Sequence, residues 1–209
     1  MRATASEHRP AVVSARRKAL QEPRFWSIAG PFAMVLAAQV GVILYQVSYP
    51  LPLLGTDGTS VALVSTSISA ILGRLALGVV VDRIPHRGTS AAVFSTQAAS
   101  LGLMLAFPSH PISFYLASTL FGLCIGNVLT FASLILQREF SPSSFGSVLG
   151  LSTAIGQVAY AMIPIVLGAI RDLAGGCRAL LAACVGLQVA AALLMALGSL
   201  RERVTAKGE

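Results

Sequence analysis

Apolar residues in this chain fall in long runs, with polar positions confined to short breaks between them. Six such runs cover about residues 25–54, 61–81, 91–107, 113–136, 145–170 and 179–200. Each meets the roughly 20 residues a helix needs to cross a bilayer, or falls a few short of it. The breaks carry turn chemistry: Pro50 and Pro52 are read as ending the first run, Asp57 and Gly58 as a turn, and Pro108 and Pro111 as bracketing another. Trp26 and Tyr49 are placed as interface aromatics. The predicted class is an all-α integral membrane protein with six transmembrane helices. It has a basic arm over 1–24, a membrane domain over 25–200 and a polar tail over 201–209. Because the runs are apolar nearly all round, their period cannot say which face of each helix looks inward.

Composition agrees. Only 11% of the 209 residues are charged and 55% are hydrophobic, whereas soluble domains carry closer to a quarter charged residues. The +7 net charge does not point to nucleic acid, because its Lys and Arg lie in tails and short loops, as membrane-anchoring charge does. Cys124, Cys177 and Cys184 show neither a Cys-x-x-Cys pair nor zinc spacing, and read as small apolar fillers. His8, His86 and His110 lie in tails or turns, with no nucleophile–base or metal constellation beside them. An enzyme, a metal site and a cofactor are therefore not expected. The first 24 residues are too long for an ordinary signal n-region and the run behind them too long for an h-region, so no cleavable signal is expected.

Lys and Arg placement predicts orientation. Twelve of the 15 fall on the side of the N-terminal arm, Arg171 and Arg178 fall on the other, and Arg74 lies within a span. Both termini are then expected in the cytoplasm, which an even number of spans satisfies.

Arg74 is the formally charged residue that falls inside an apolar run. It lies two helical turns before Asp82, roughly 12 Å at 1.5 Å per residue, and so close to the midplane of a ~30 Å core. Charge at that depth is costly and marks a functional site by default. Two readings stay open: the side chain snorkels to the interface, or it faces a wet cavity, where its planar fork would grip a carboxylate. Other polar residues share helix faces: Gln39 with Gln46, Asn127 with Thr130, and Thr153 with Gln157 and Tyr160, while Ser67 lies seven residues before Arg74. They serve either as hydrogen-bonding glue between helices or, with Arg74, as the lining of a binding cavity. Arg74, Gln46, Asn127, Gln157 and Tyr160 are the candidate substrate-binding set. The sixth span carries little that is polar beyond Gln188, which suits a lipid-facing position for that span. Gly122-x-x-x-Gly126 and Gly146-x-x-x-Gly150 are expected to bring helices close. Asp82 sits at a helix C-terminus, where the macrodipole disfavours it. It is read either as a solvated loop charge or as facing the free amides near Ser143 and Ser144.

Several stretches resemble the second six-helix half of the major facilitator superfamily. Gly78-x-x-x-Asp82-Arg83-x-x-x-Arg87 is similar to its loop motif between second and third helices, though Pro85 and His86 replace small residues. The lead-in from Ala19 and Leu20 to Pro23-Arg24-Phe25-Trp26 resembles the entry to its seventh helix. Phe140 to Gly150, followed by Pro164-x-x-x-Gly168-x-x-x-Asp172, resembles the region around the eleventh helix of monocarboxylate, oxalate/formate and cyanate-type carriers. The likeness covers about residues 19–200.

The resemblance implies one half of a fold built as a 3+3 inverted repeat. Spans one, two, four and five would face a cavity or partner half, and three and six the lipid. It implies alternating-access transport of a small organic anion, with Arg74 on the substrate carboxylate. Gly78, Asp82, Arg83 and Arg87 would form the cytoplasmic gate, in the inner (plasma) membrane. Ala70 stands where some relatives carry an acid, and Lys18 and Lys207 lie only in tails, so oxalate is not expected. Because such carriers work with two halves, a partner half or self-pairing is expected. The alternative is a truncated, non-transporting remnant or a membrane interaction subunit.

Overall fold

A computed structural model describes residues 16–174 and 176–205. Among the described residues every regular element is helical. After a short helical stretch over residues 16–21 come α1 (Pro23–Tyr45), α2 (Leu51–Val80), a 3₁₀ turn (Val81–Arg83) and α3 (His86–Ala106). Then follow α4 (Pro111–Ile125), α5 (Val128–Glu139), α6 (Pro142–Ala174) and α7 (Cys177–Thr205). With α4 and α5 counted as one span, six helical segments are long and apolar enough to cross a membrane.

The boundaries depart from the sequence reading in three places. Pro50 and Pro52 do not end the first span. They open α2, where a proline in the first turn loses no helical hydrogen bond. Asp57 and Gly58 are therefore helical, and the bend falls at Gly55, whose φ of 68° is one that glycine adopts without a Cβ penalty. The fourth span is broken at Gly126 and Asn127, where α4 gives way to α5. Cys177, expected in a loop, is the first residue of α7.

α1 lies at the centre, packed on α6 and α7 and touching α5. α3 packs on α7 and α4, and α2 packs chiefly on α4. One apolar core at the end where α1 begins gathers Phe25, Phe32, Phe94, Phe131 and Leu136, and a second at the other end gathers Leu101, Phe114, Phe121, Leu167 and Leu180. Between them a polar contact joins three helices. Gln97 Oε1 on α3 accepts from Gln39 Nε2 at 3.3 Å and from Gln188 Nε2 at 3.2 Å. Gln188 is fully buried, on the side of α7 that packs against α1 and α3. An amide left in hydrocarbon would forfeit its hydrogen bonds, and here it turns inward to a partner.

α2 and α6 are the least covered spans, with 17% and 11% of their apolar windows buried. Val61, Val64, Ile68, Leu72 and Leu75 on α2, with Val158, Met162 and Ile165 on α6, present large apolar side chains outward. What holds α2 is backbone proximity. A Cβ on Gly73 would fall against the carbonyl of Leu123, and one on Gly122 against the carbonyl of Thr66. No side chain could occupy either position without parting the helices. Gly146 and Gly150, by contrast, have nothing within 4 Å of where a Cβ would stand, so the second expected packing pair makes no such contact here. Gly73→Val should destabilise the bundle by about 1–3 kcal/mol, the usual cost of overpacking, whereas Gly146→Ala should be silent. Thermal unfolding of the detergent-purified protein, followed by size-exclusion chromatography, measures both.

Candidate functional site

The α2–α4 crossing seats Arg74. Its side chain lies over Gly126, where a Cβ would collide with its Cγ and Nε, and Nε donates to the Gly126 carbonyl at 3.2 Å. That carbonyl is available because α4 ends there. The terminal nitrogens of the guanidinium make no hydrogen bond among the described residues, and the side chain is exposed. Asn127 is next to it but buried. Its Nδ2 donates to Gly73 O and Leu123 O, both at 3.2 Å, which ties the helix break to the glycine seam. Arg74 is thus anchored against the middle of a neighbouring span by its Nε, with its fork left open.

The remaining candidates are dispersed. Gln157 and Tyr160 are exposed on α6 along with Thr153, so one side of that helix is polar as its spacing implied. α6 packs on α1 and α7, however, while α2 packs chiefly on α4, and no hydrogen bond joins either residue to Arg74. Gln46 lies just past the end of α1, partly exposed. The structure brings together Arg74, Gly126 and Asn127, and leaves Gln46, Gln157 and Tyr160 apart from them.

At the end of the bundle where α1 begins, the motif residues separate by environment. Gly78, Asp82 and Arg83 are exposed, and Asp82 makes no hydrogen bond or ion pair with the start of α6 or with any other described residue. Arg87 is buried. Its Nε donates to Glu139 Oε1 at 2.6 Å, and Nη2 to Glu139 Oε2 at 2.8 Å and to Ser27 Oγ at 3.1 Å. Arg24 Nε adds a further bond to Glu139 Oε2 at 2.8 Å. Glu139 ends α5 and Arg87 lies in the first turn of α3, so each charge opposes its own helix dipole and each is offset by the other. Glu139 was absent from the sequence candidates. Its signal was a lone acid beside Arg138 at the end of a span, which also describes an ordinary solvated residue.

The opposite end is marked by Arg171, whose guanidinium lies 5.5 Å from the ring centroid of Tyr45. Cys124 and Cys184 are buried among apolar neighbours, in keeping with their reading as fillers. Among the described residues no cluster of His, Cys, Asp or Glu could hold a metal ion.

Glu139→Gln should cost about 3 kcal/mol or more, because it leaves buried Arg87 without its counter-charge. Arg24→Gln should cost no more than about 1 kcal/mol, since Arg24 is 58% exposed and exposed pairs contribute little. Paired denaturation curves in one detergent check the difference.

No curated protein matches the chain. The sequence model of the Major Facilitator Superfamily matches residues 2–164. That match takes in the arm, the α2–α3 motif, the α2–α4 crossing and most of α6. Together with six membrane-length helices and no strand among the described residues, it establishes that this chain belongs to the Major Facilitator Superfamily, whose members are transporters.

Proposed function

We propose that the chain forms one half of a secondary transporter that moves small organic anions, such as monocarboxylates, by alternating access. The observation that carries the reading is the open guanidinium fork of Arg74, anchored by Nε to Gly126 on an exposed face of α2. A fork of this kind matches the two oxygens of a carboxylate. Nε supports the side chain from behind, so substrate binding needs no further helix to hold it. Gln157 and Tyr160 on α6, Asn127 behind Arg74 and Gln46 at the end of α1 complete the proposed substrate-binding set once the cavity is closed.

Closure requires a second six-helix body, either a separate partner half or another copy of this chain. The outward apolar faces of α2 and α6 are where it would dock, since patches of that extent mark interaction surfaces. Gly78, Asp82, Arg83 and Arg87 would gate the end where α1 begins, with Arg87 serving from its buried pair. By the charge bias, that end and both termini face the cytoplasm, in the inner (plasma) membrane. The same uncovered faces favour a second reading, a non-transporting remnant or membrane interaction subunit.

Uptake of labelled carboxylates into proteoliposomes, with the chain alone and with a candidate partner half, separates the two. Transport in either arm supports the first reading, and its absence in both supports the second. In the active arm Arg74→Ala should lower uptake by roughly 10- to 100-fold, the range expected for lost hydrogen bonds to a charged group. Arg74→Lys should recover part of it. Unchanged uptake in both variants would remove Arg74 from the site.

A further inference from the structure

Away from the α2 and α6 faces, a hollow opens at the start of α3. It has a volume of about 200 Å³ and is walled by Pro85 just before α3, His86 and Gly88 of α3, Arg138 and Glu139 of α5, and Ser199 of α7. Four features of it suit a phosphate. His86 is 5% exposed and its Nδ1 has no hydrogen-bond partner, an orphan that costs free energy until something fills it. No side chain caps α3, and the first backbone bond at its start is Thr89 N–H to Pro85 O, so the positive end of the helix dipole opens on the hollow. Arg138 stands exposed in the wall. The one carboxylate there, Glu139, is already held by Arg87 and Arg24.

A second hollow, of about 440 Å³, runs along the α3–α7 seam and is lined by alanines, including Ala92 and Ala99 of α3 and Ala192 and Ala196 of α7. It lies further along the same two helices. Gly88, Ala91, Ala92, Ser95 and Ala99 follow one another at helical spacing on α3, and Ser199, Ala196 and Ala192 do so in reverse on α7. The alanine stretch of α3 extends about 12 Å from Ala91 to Ala99. A basic hollow at the end of a span is therefore followed, along the same faces of α3 and α7, by an apolar trench that runs toward the middle of the spans.

We infer that the α3–α7 face is a binding site for an anionic phospholipid. Its phosphate lies at the start of α3, accepting from His86 Nδ1–H and facing Arg138, and one acyl chain lies in the alanine trench. A soluble anion would leave the trench empty, and a zwitterionic lipid would bring its own cation against Arg138. The inference does not depend on the transport reading.

The test uses the full chain purified in detergent. Native mass spectrometry counts retained lipid, and thermal unfolding follows added dioleoylphosphatidylglycerol, dioleoylphosphatidylcholine or inorganic phosphate. Phosphatidylglycerol should bind severalfold better than phosphatidylcholine, and phosphate alone should give no shift. Arg138→Gln, at an exposed position, should weaken phosphatidylglycerol by about fivefold, as one basic side chain near an anionic headgroup contributes, and leave phosphatidylcholine unaffected. Ala92→Phe and Ala99→Phe, which fill the trench from its exposed rim, should lower retention of both lipids. Equal binding of the two lipids, indifference to Arg138→Gln, or a phosphate shift as large as the lipid's would overturn the inference. Should the phenylalanine variants fail to fold, the Arg138→Gln comparison decides alone.

Discussion

The rest of this bundle depends on how closely two backbones approach. At Gly73 and Gly122 the carbonyls of α4 and α2 occupy the space that any side chain would need. In lipid, where apolar burial gives helices no reason to associate, such proximity and the polar contacts it permits do the holding. The seam fixes the depth and rotation of α2, and with them the position of Arg74. It also explains why the fourth span breaks where it does. The break at Gly126 gives Arg74 an unfilled spot to lie on and a carbonyl to bond, and Asn127 then fastens the broken end back to Gly73. Charge, kink and glycine are parts of one arrangement.

Sorting by burial gives the molecule two kinds of polar residue. Gln39, Gln97 and Gln188 are turned inward and joined to one another, so they specify how α1, α3 and α7 meet. Arg74, Thr153, Gln157 and Tyr160 stand on faces that the described residues leave open. The first group is spent on the bundle itself. Apart from the bond of Arg74 Nε to Gly126, the second makes no contact of that kind among the described residues, which is why the proposed binding role rests there.

Much of this was legible in the chain. Six spans follow from the length of apolar runs, and the place of Arg74 partway along its span, two turns before Asp82, follows from counting residues. What could not be read were facing directions. A helix apolar on every side has no informative period, so the inward turn of Gln188 could not be read, and Gln46 and Gln39 shared a face by spacing when one is partly exposed and the other enclosed. Proline misled through its position. At Pro52 the rule that proline stops a helix lost to the rule that it starts one. Glu139 was invisible because adjacent opposite charges at a span end ordinarily belong to water. Only the folded chain shows Arg87 and Arg24 arriving from far along the sequence.

The place of Glu139 has a mechanical corollary. Its carboxylate closes α5, which belongs to spans four to six, while the guanidiniums it binds open α1 and α3, which belong to spans one to three. Spans one to three and spans four to six are thus riveted at one rim. Splaying them apart there would leave the buried Arg87 and Glu139 without each other, whereas turning the whole block as a single piece keeps them paired. Any rocking of this domain is better accommodated at its outer borders than along the line between its first three spans and its last three.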